Sequence, residues 1–81
     1  MPYISQVERQ LAADRTLIPR KEGQLNYLIT ELVKQYVDLN GLNYATINSV
    51  VGALDCAKME FYRRVAVPYE DKKIAENGDV Y

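Results

Sequence analysis

Leu25, Leu28, Ile29, Leu32, Val33, Tyr36 and Val37 recur at alternating spacings of three and one, which traces one face of a 3.6-residue helix and no other regular structure. Asn40-Gly41 follows with a left-handed stop, and Gly23 stands just before. The spacing predicts a helix over about 24–39. Tyr27 falls about 200° round from Leu25 at 100° per residue, off the stripe, and is either a lone surface aromatic or a contact for another chain.

A second run of the same period lies downstream. Ile47, Val50, Val51, Leu54, Ala57, Phe61, Tyr62 and Val65 form its main stripe, with Asn43 or Thr46 able to cap its start. Its opposite face carries Ser49, Gly52, Ala53 and Cys56, all small, and between Ile47 and Met59 the only charges are Asp55 and Lys58. A helix that is apolar or small nearly all round is buried on more than one side. Two readings follow for the small face. Either the first helix packs there and Gly52 has no special role, or it is the seam to a second protomer, where small residues let backbones approach and dispersion contacts rise.

Upstream, Ser5-Gln6-Val7-Glu8 fits the capping box that opens a helix. Ile4, Val7 and Leu11 give it a narrow stripe, and the stretch from Thr16 to Glu22, with Pro19 and a basic pair, ends it. At the other end, Pro68 interrupts the third helix by removing one backbone hydrogen bond and disfavouring helical geometry at Val67. The helix either kinks there or a new one begins with Pro68 in its first turn. The second case would set Glu70 and Asp71 at a helix N-terminus, where negative charge is favoured, with Lys72 and Lys73 nearer the C-terminus. Asn77-Gly78 closes the segment, leaving a tail at 79–81. The expected fold is all-α, one domain of three helices at about 5–15, 24–39 and 44–66, the third kinked or divided at Pro68 and continuing over 68–76.

An 81-residue chain that is 48% hydrophobic and 26% charged suits one small globular domain rather than a disordered segment. So short a chain buries only about 60% of its unfolded surface, and domains of this size often recruit disulfides, metals or further copies. With Cys56 the only cysteine and no histidine, an intramolecular disulfide and the usual Cys/His zinc sites are excluded. Self-association or a partner remains, and a homo-oligomer, dimer or larger, is the expectation. No apolar run approaches the roughly 18 residues of a membrane span, and Met1-Pro2-Tyr3 opens no signal peptide. The expected location is cytoplasmic.

The chemistry is bounded by the same absences. Without histidine no Ser-His-Asp or Cys-His arrangement can form, and Cys56 reads as a buried small residue rather than a nucleophile. Isolated glycines exclude a phosphate-binding loop. Carboxylate-only magnesium chemistry of the kind used by helical nucleotide hydrolases needs Glu-x-x-Glu or Glu-x-x-Asp pairs. Here Glu60 is followed three on by Arg63, and Glu31 by Lys34, so a cation stands where the second ligand would be. No catalytic residue, cofactor or metal is expected, and the chain reads as non-enzymatic.

Ten basic and eleven acidic residues leave a net charge of −1, with no field to draw nucleic acid or an anionic membrane. A local polar patch nevertheless gathers at Lys58, Glu60, Arg63, Arg64, Glu70 and Asp71. Its simpler reading is intrahelical pairing of Glu60 with Arg63 and Arg64. The alternative makes Arg63 and Arg64, with Tyr62 and Tyr69, an anion or nucleic-acid surface, against which the neighbouring carboxylates argue. Lys58 is the odd member, since its helical angle puts it among Leu54, Phe61, Tyr62 and Val65. Either its stem snorkels to water or its ammonium meets a carboxylate such as Asp55, Glu70 or Asp71 on a neighbouring element.

Gly23-Gln24-Leu25-Asn26-Tyr27, Glu60-Phe61-Tyr62-Arg63-Arg64, Pro68-Tyr69-Glu70-Asp71-Lys72-Lys73 and Asn77-Gly78-Asp79-Val80-Tyr81 together resemble a family of small uncharacterised proteins from bacteriophage and bacterial genomes. The resemblance covers Gly23 to the end. It implies a phage or phage-derived origin and action in a host cytoplasm, on a phage or host protein, and brings no catalytic residue with it.

Overall fold

The computed structural model describes residues 5–14 and 16–81, which form α1 (Gln6–Ala13), α2 (Glu22–Asn40), α3 (Tyr44–Phe61), a π-helical turn (Tyr62–Ala66) and α4 (Val67–Asn77). The described residues contain helices and connections and no strand. The all-α expectation holds, with the third helix running through the π turn from α3 into α4. The chain divides into two units, Met1–Thr46 and Ile47–Tyr81. Ile4 and Arg15, which entered the expected first helix, lie outside the described residues.

In the first unit, Ser5 caps α1 by accepting from the Glu8 amide at 3.2 Å. At its other end the Leu11 carbonyl accepts from the amides of Thr16 (2.7 Å) and Leu17 (3.1 Å), turning the chain out of the helix. α2 begins slightly earlier than expected, so Gly23 lies inside its first turn. The start is set by Gln24, whose Oε1 accepts from the amides of Arg20 (2.7 Å) and Lys21 (3.3 Å), half of a capping box. Gly41, at φ +84°, ends α2 and donates its amide to the Val37 carbonyl at 2.7 Å, a conformation open to glycine and costly for other residues. Asn43 is the cap of α3, its Oδ1 accepting from the amide of Thr46 at 2.9 Å.

α1 meets α2 along one edge of the stripe that the period picked out, at Leu28 and Leu32. Gln24 and Glu8 join the two helices, and Ala12, Leu17, Leu28, Glu31 and Leu32 share one hollow beside them. Leu25, Ile29, Leu32 and Tyr36 remain exposed, while Tyr27, expected at the surface, is half-buried. α1 has eight residues, about 12 Å of helix, too little to cover the whole stripe of the nineteen-residue α2.

The second unit is one long helix with a short tail. Pro68 has no amide to donate and its ring crowds the Arg64 carbonyl. The chain answers by winding one turn wider: the Val67 amide donates to the Tyr62 carbonyl, five residues back, while Phe61, Ala66 and Val67 all keep right-handed helical dihedrals. Insertion of one π turn is a recognised way to take strain without breaking a helix. Because the helix is continuous, α4 has no free N-terminal amides, and the expected dipole stabilisation of Glu70 and Asp71 at a fresh helix start does not arise. Gly78, at φ +88°, donates to the Ile74 carbonyl at 2.8 Å and ends α4, where Asn77-Gly78 was expected to.

Candidate functional site

A single helix cannot bury its own stripe. In the unit Ile47–Tyr81 only Val50, Ala66 and Val67 are even half-buried. Phe61, Tyr62 and Val65, read from the sequence as core, are 64%, 55% and 51% exposed. Cys56, expected to be buried, is exposed as well. On the opposite side Ser49, Gly52 and Ala53 are also open, and a Cβ placed on Gly52 would meet nothing within 4 Å. Nothing among the described residues therefore requires glycine there, although glycine inside a helix costs about 0.5–1 kcal/mol relative to alanine. The reason for Gly52, if it has one, lies outside its own helix.

The predicted polar patch resolves into two parts. Glu60 holds both arginines, Oε1 to Arg63 at 3.1 Å and Oε2 to Arg64 at 2.7 Å, the intrahelical pairing read from the spacing. All three side chains are more than half exposed, so such pairs contribute only about 0.2–0.5 kcal/mol each. Lys58, Glu70 and Asp71 are exposed and not among the ion pairs of the described residues. The helix continues past Pro68 instead of folding back, so Glu70 stays about 18 Å from Lys58 along the axis at about 1.5 Å per residue. The chain does not return its own acidic pair to its own lysine. A shallow hollow of about 310 Å³ lies beside this patch, lined by Lys58, Met59, Glu60, Tyr62 and Arg63.

Tyr69 is engaged by Lys73, whose ammonium sits 5.5 Å from the ring centroid, a cation–π distance. Lys73 also reaches Glu76 at 3.4 Å. For the nucleic-acid alternative this leaves both arginines occupied by one carboxylate and one of the two stacking tyrosines shared with a lysine. Among the described residues no three His, Cys, Asp or Glu side chains come together as a metal site needs, and no helix is long and apolar enough to cross a membrane.

One electrostatic link stands out in the first unit. The Gln24 side-chain amide donates to Glu8 Oε2 at 2.7 Å, and the Ser5 hydroxyl donates to Glu8 Oε1 at 3.1 Å. The Gln24 bond, more than the opposing partial desolvation or the Ser5 bonds, holds the Glu8 carboxyl below the usual carboxylate range. The capping box was visible in Ser5-x-x-Glu8; the partner sixteen residues away was not.

Helices that expose apolar and small faces on opposite sides define a class of small all-helical proteins. The chain belongs to the family described as Domain of unknown function (DUF6899), which matches residues 1–80. No curated protein and no solved structure matches it.

Proposed function

We propose that the chain is a non-enzymatic protein-interaction module that works as a homo-oligomer. The observation that carries this is the third helix with large apolar side chains along one face, small residues along the other, and neither face covered within its own unit. Within its own unit, Ile47–Tyr81, this helix has no second helix to lie against it.

Completing the burial of a half-exposed Leu, Phe or Val side chain is worth about 1 kcal/mol. Association costs several kcal/mol in lost freedom, so only a continuous face of such residues repays it. The small face of Ser49, Gly52, Ala53 and Cys56 offers a second, closer contact for assembly beyond a pair. The sequence resemblance supports a phage or phage-derived origin and, with it, action in a host cytoplasm on a phage or host protein as a structural or accessory part.

Sedimentation velocity at micromolar concentration tests the reading. The expected species is a dimer or larger; a strict 9.3 kDa monomer overturns it.

A further inference from the structure

From the geometry of the π turn we propose that two copies pair through antiparallel third helices crossing at Tyr62–Ala66, with Lys58 of each copy set against Glu70 of the other. The inference rests on the oligomer reading and assigns its pairing surface to the large apolar stripe.

The turn's effect on the helix faces is the starting point. On an uninterrupted α-helix Glu70 would stand about 120° round from Lys58, at 100° per residue. One π turn takes up an extra residue and turns everything beyond it back by about 100°. Glu70 then falls within about 20° of Lys58, and Ile74, otherwise opposite Ile47, moves to the flank of the stripe. The same shift sets Tyr69 nearly in line with Phe61. α3 and α4 thus present one shared face, and that face carries a cation on one side of the turn and an anion on the other.

Lys58 has no ion pair, and neither do Glu70 and Asp55, among the described residues. They lie too far apart along one helix for Lys58 to reach Glu70, and a parallel pair of helices would set Lys58 against Lys58. An antiparallel pair with its two-fold axis at the middle of the turn does the opposite. It brings each lysine level with the other copy's glutamate, on the same flank of the stripe, which is the flank that two-fold antiparallel packing joins. The identical register puts Leu54 level with Ile74 and Asp55 level with Lys73, so an apolar pair and a second pair of opposite charges match. Complementarity of this kind fixes register and orientation, while like charges in the same positions oppose the wrong one. A lysine among aromatic and aliphatic residues, with no ion-pair partner among the described residues, thereby acquires one.

The test compares the wild type with Lys58→Glu, Glu70→Lys and the double exchange by sedimentation equilibrium, with circular dichroism confirming that helix content is kept. Each single exchange sets like charges together twice per pair and is expected to raise the dissociation constant by at least about tenfold. The double exchange restores both pairs and is expected to return it to within about threefold of the wild type. Dissociation constants equal across all four proteins, or a double exchange no better than the singles, overturn the register while leaving the oligomer reading standing. A monomeric wild type overturns both.

Discussion

Glu8 joins two helices with one carboxylate, accepting from the Ser5 hydroxyl on one side and from the Gln24 side-chain amide on the other. Its pKa is lowered in the folded chain, chiefly by Gln24, so its contribution to stability is fully present above the unfolded carboxylate value near 4.5. It is lost as pH falls through the lowered folded value. The expected outcome is that Glu8→Gln removes part of the acid-side loss of stability, with the unfolding midpoints of mutant and wild type converging as pH falls below the lowered carboxylate value. Equal pH profiles for the two proteins would show that Glu8 does not couple the helices. The residue scale also marks a limit of sequence reading. Ser5 and Glu8 are three apart and could be paired on sight, whereas Gln24 becomes legible only once α1 folds onto α2.

At the scale of elements, the helical periods were readable because each apolar residue reports its own angle, and the glycine stops at Gly41 and Gly78 were readable because each needs a positive φ. Pro68 was readable as an interruption. Its resolution was not, because a proline in a helix has several structural answers, and the choice depends on how neighbouring carbonyls can be re-paired. The difference matters, since a kink alone would leave the faces of α3 and α4 out of phase and the π turn aligns them. Pro68→Ala restores the missing amide donor and removes the clash with the Arg64 carbonyl. The expected result is reversion to uninterrupted α-helix, seen as higher helicity by circular dichroism. Because α4 then turns by about 100°, Glu70 leaves the stripe and self-association weakens by about tenfold, or ~1.4 kcal/mol. A variant that becomes more helical and associates as tightly as before would separate the turn from assembly.

For the molecule as a whole, the decisive quantity is which face of the third helix remains available once copies pair. The sequence made the small face legible as a candidate, since Ser49, Gly52, Ala53 and Cys56 fall on one side. It could not say that the large stripe would also stand open, because periodicity shows that a face is apolar without showing what covers it. If the stripe forms the pair, the small face remains as the second contact, and the two respond differently to substitution. Leucine at Gly52 has room in the isolated helix, where a Cβ meets nothing within 4 Å, and it removes glycine's conformational cost of about 0.5–1 kcal/mol. The helix itself is therefore expected to be more stable, while close approach of a second backbone is blocked. Gly52→Leu should lower any species larger than the dimer in sedimentation velocity, with the pair intact. Its thermal midpoint should still rise with protein concentration, as for any fold stabilised by association. Loss of the pair itself on Gly52→Leu would instead place the primary contact on the small face, and the stripe would need a different occupant.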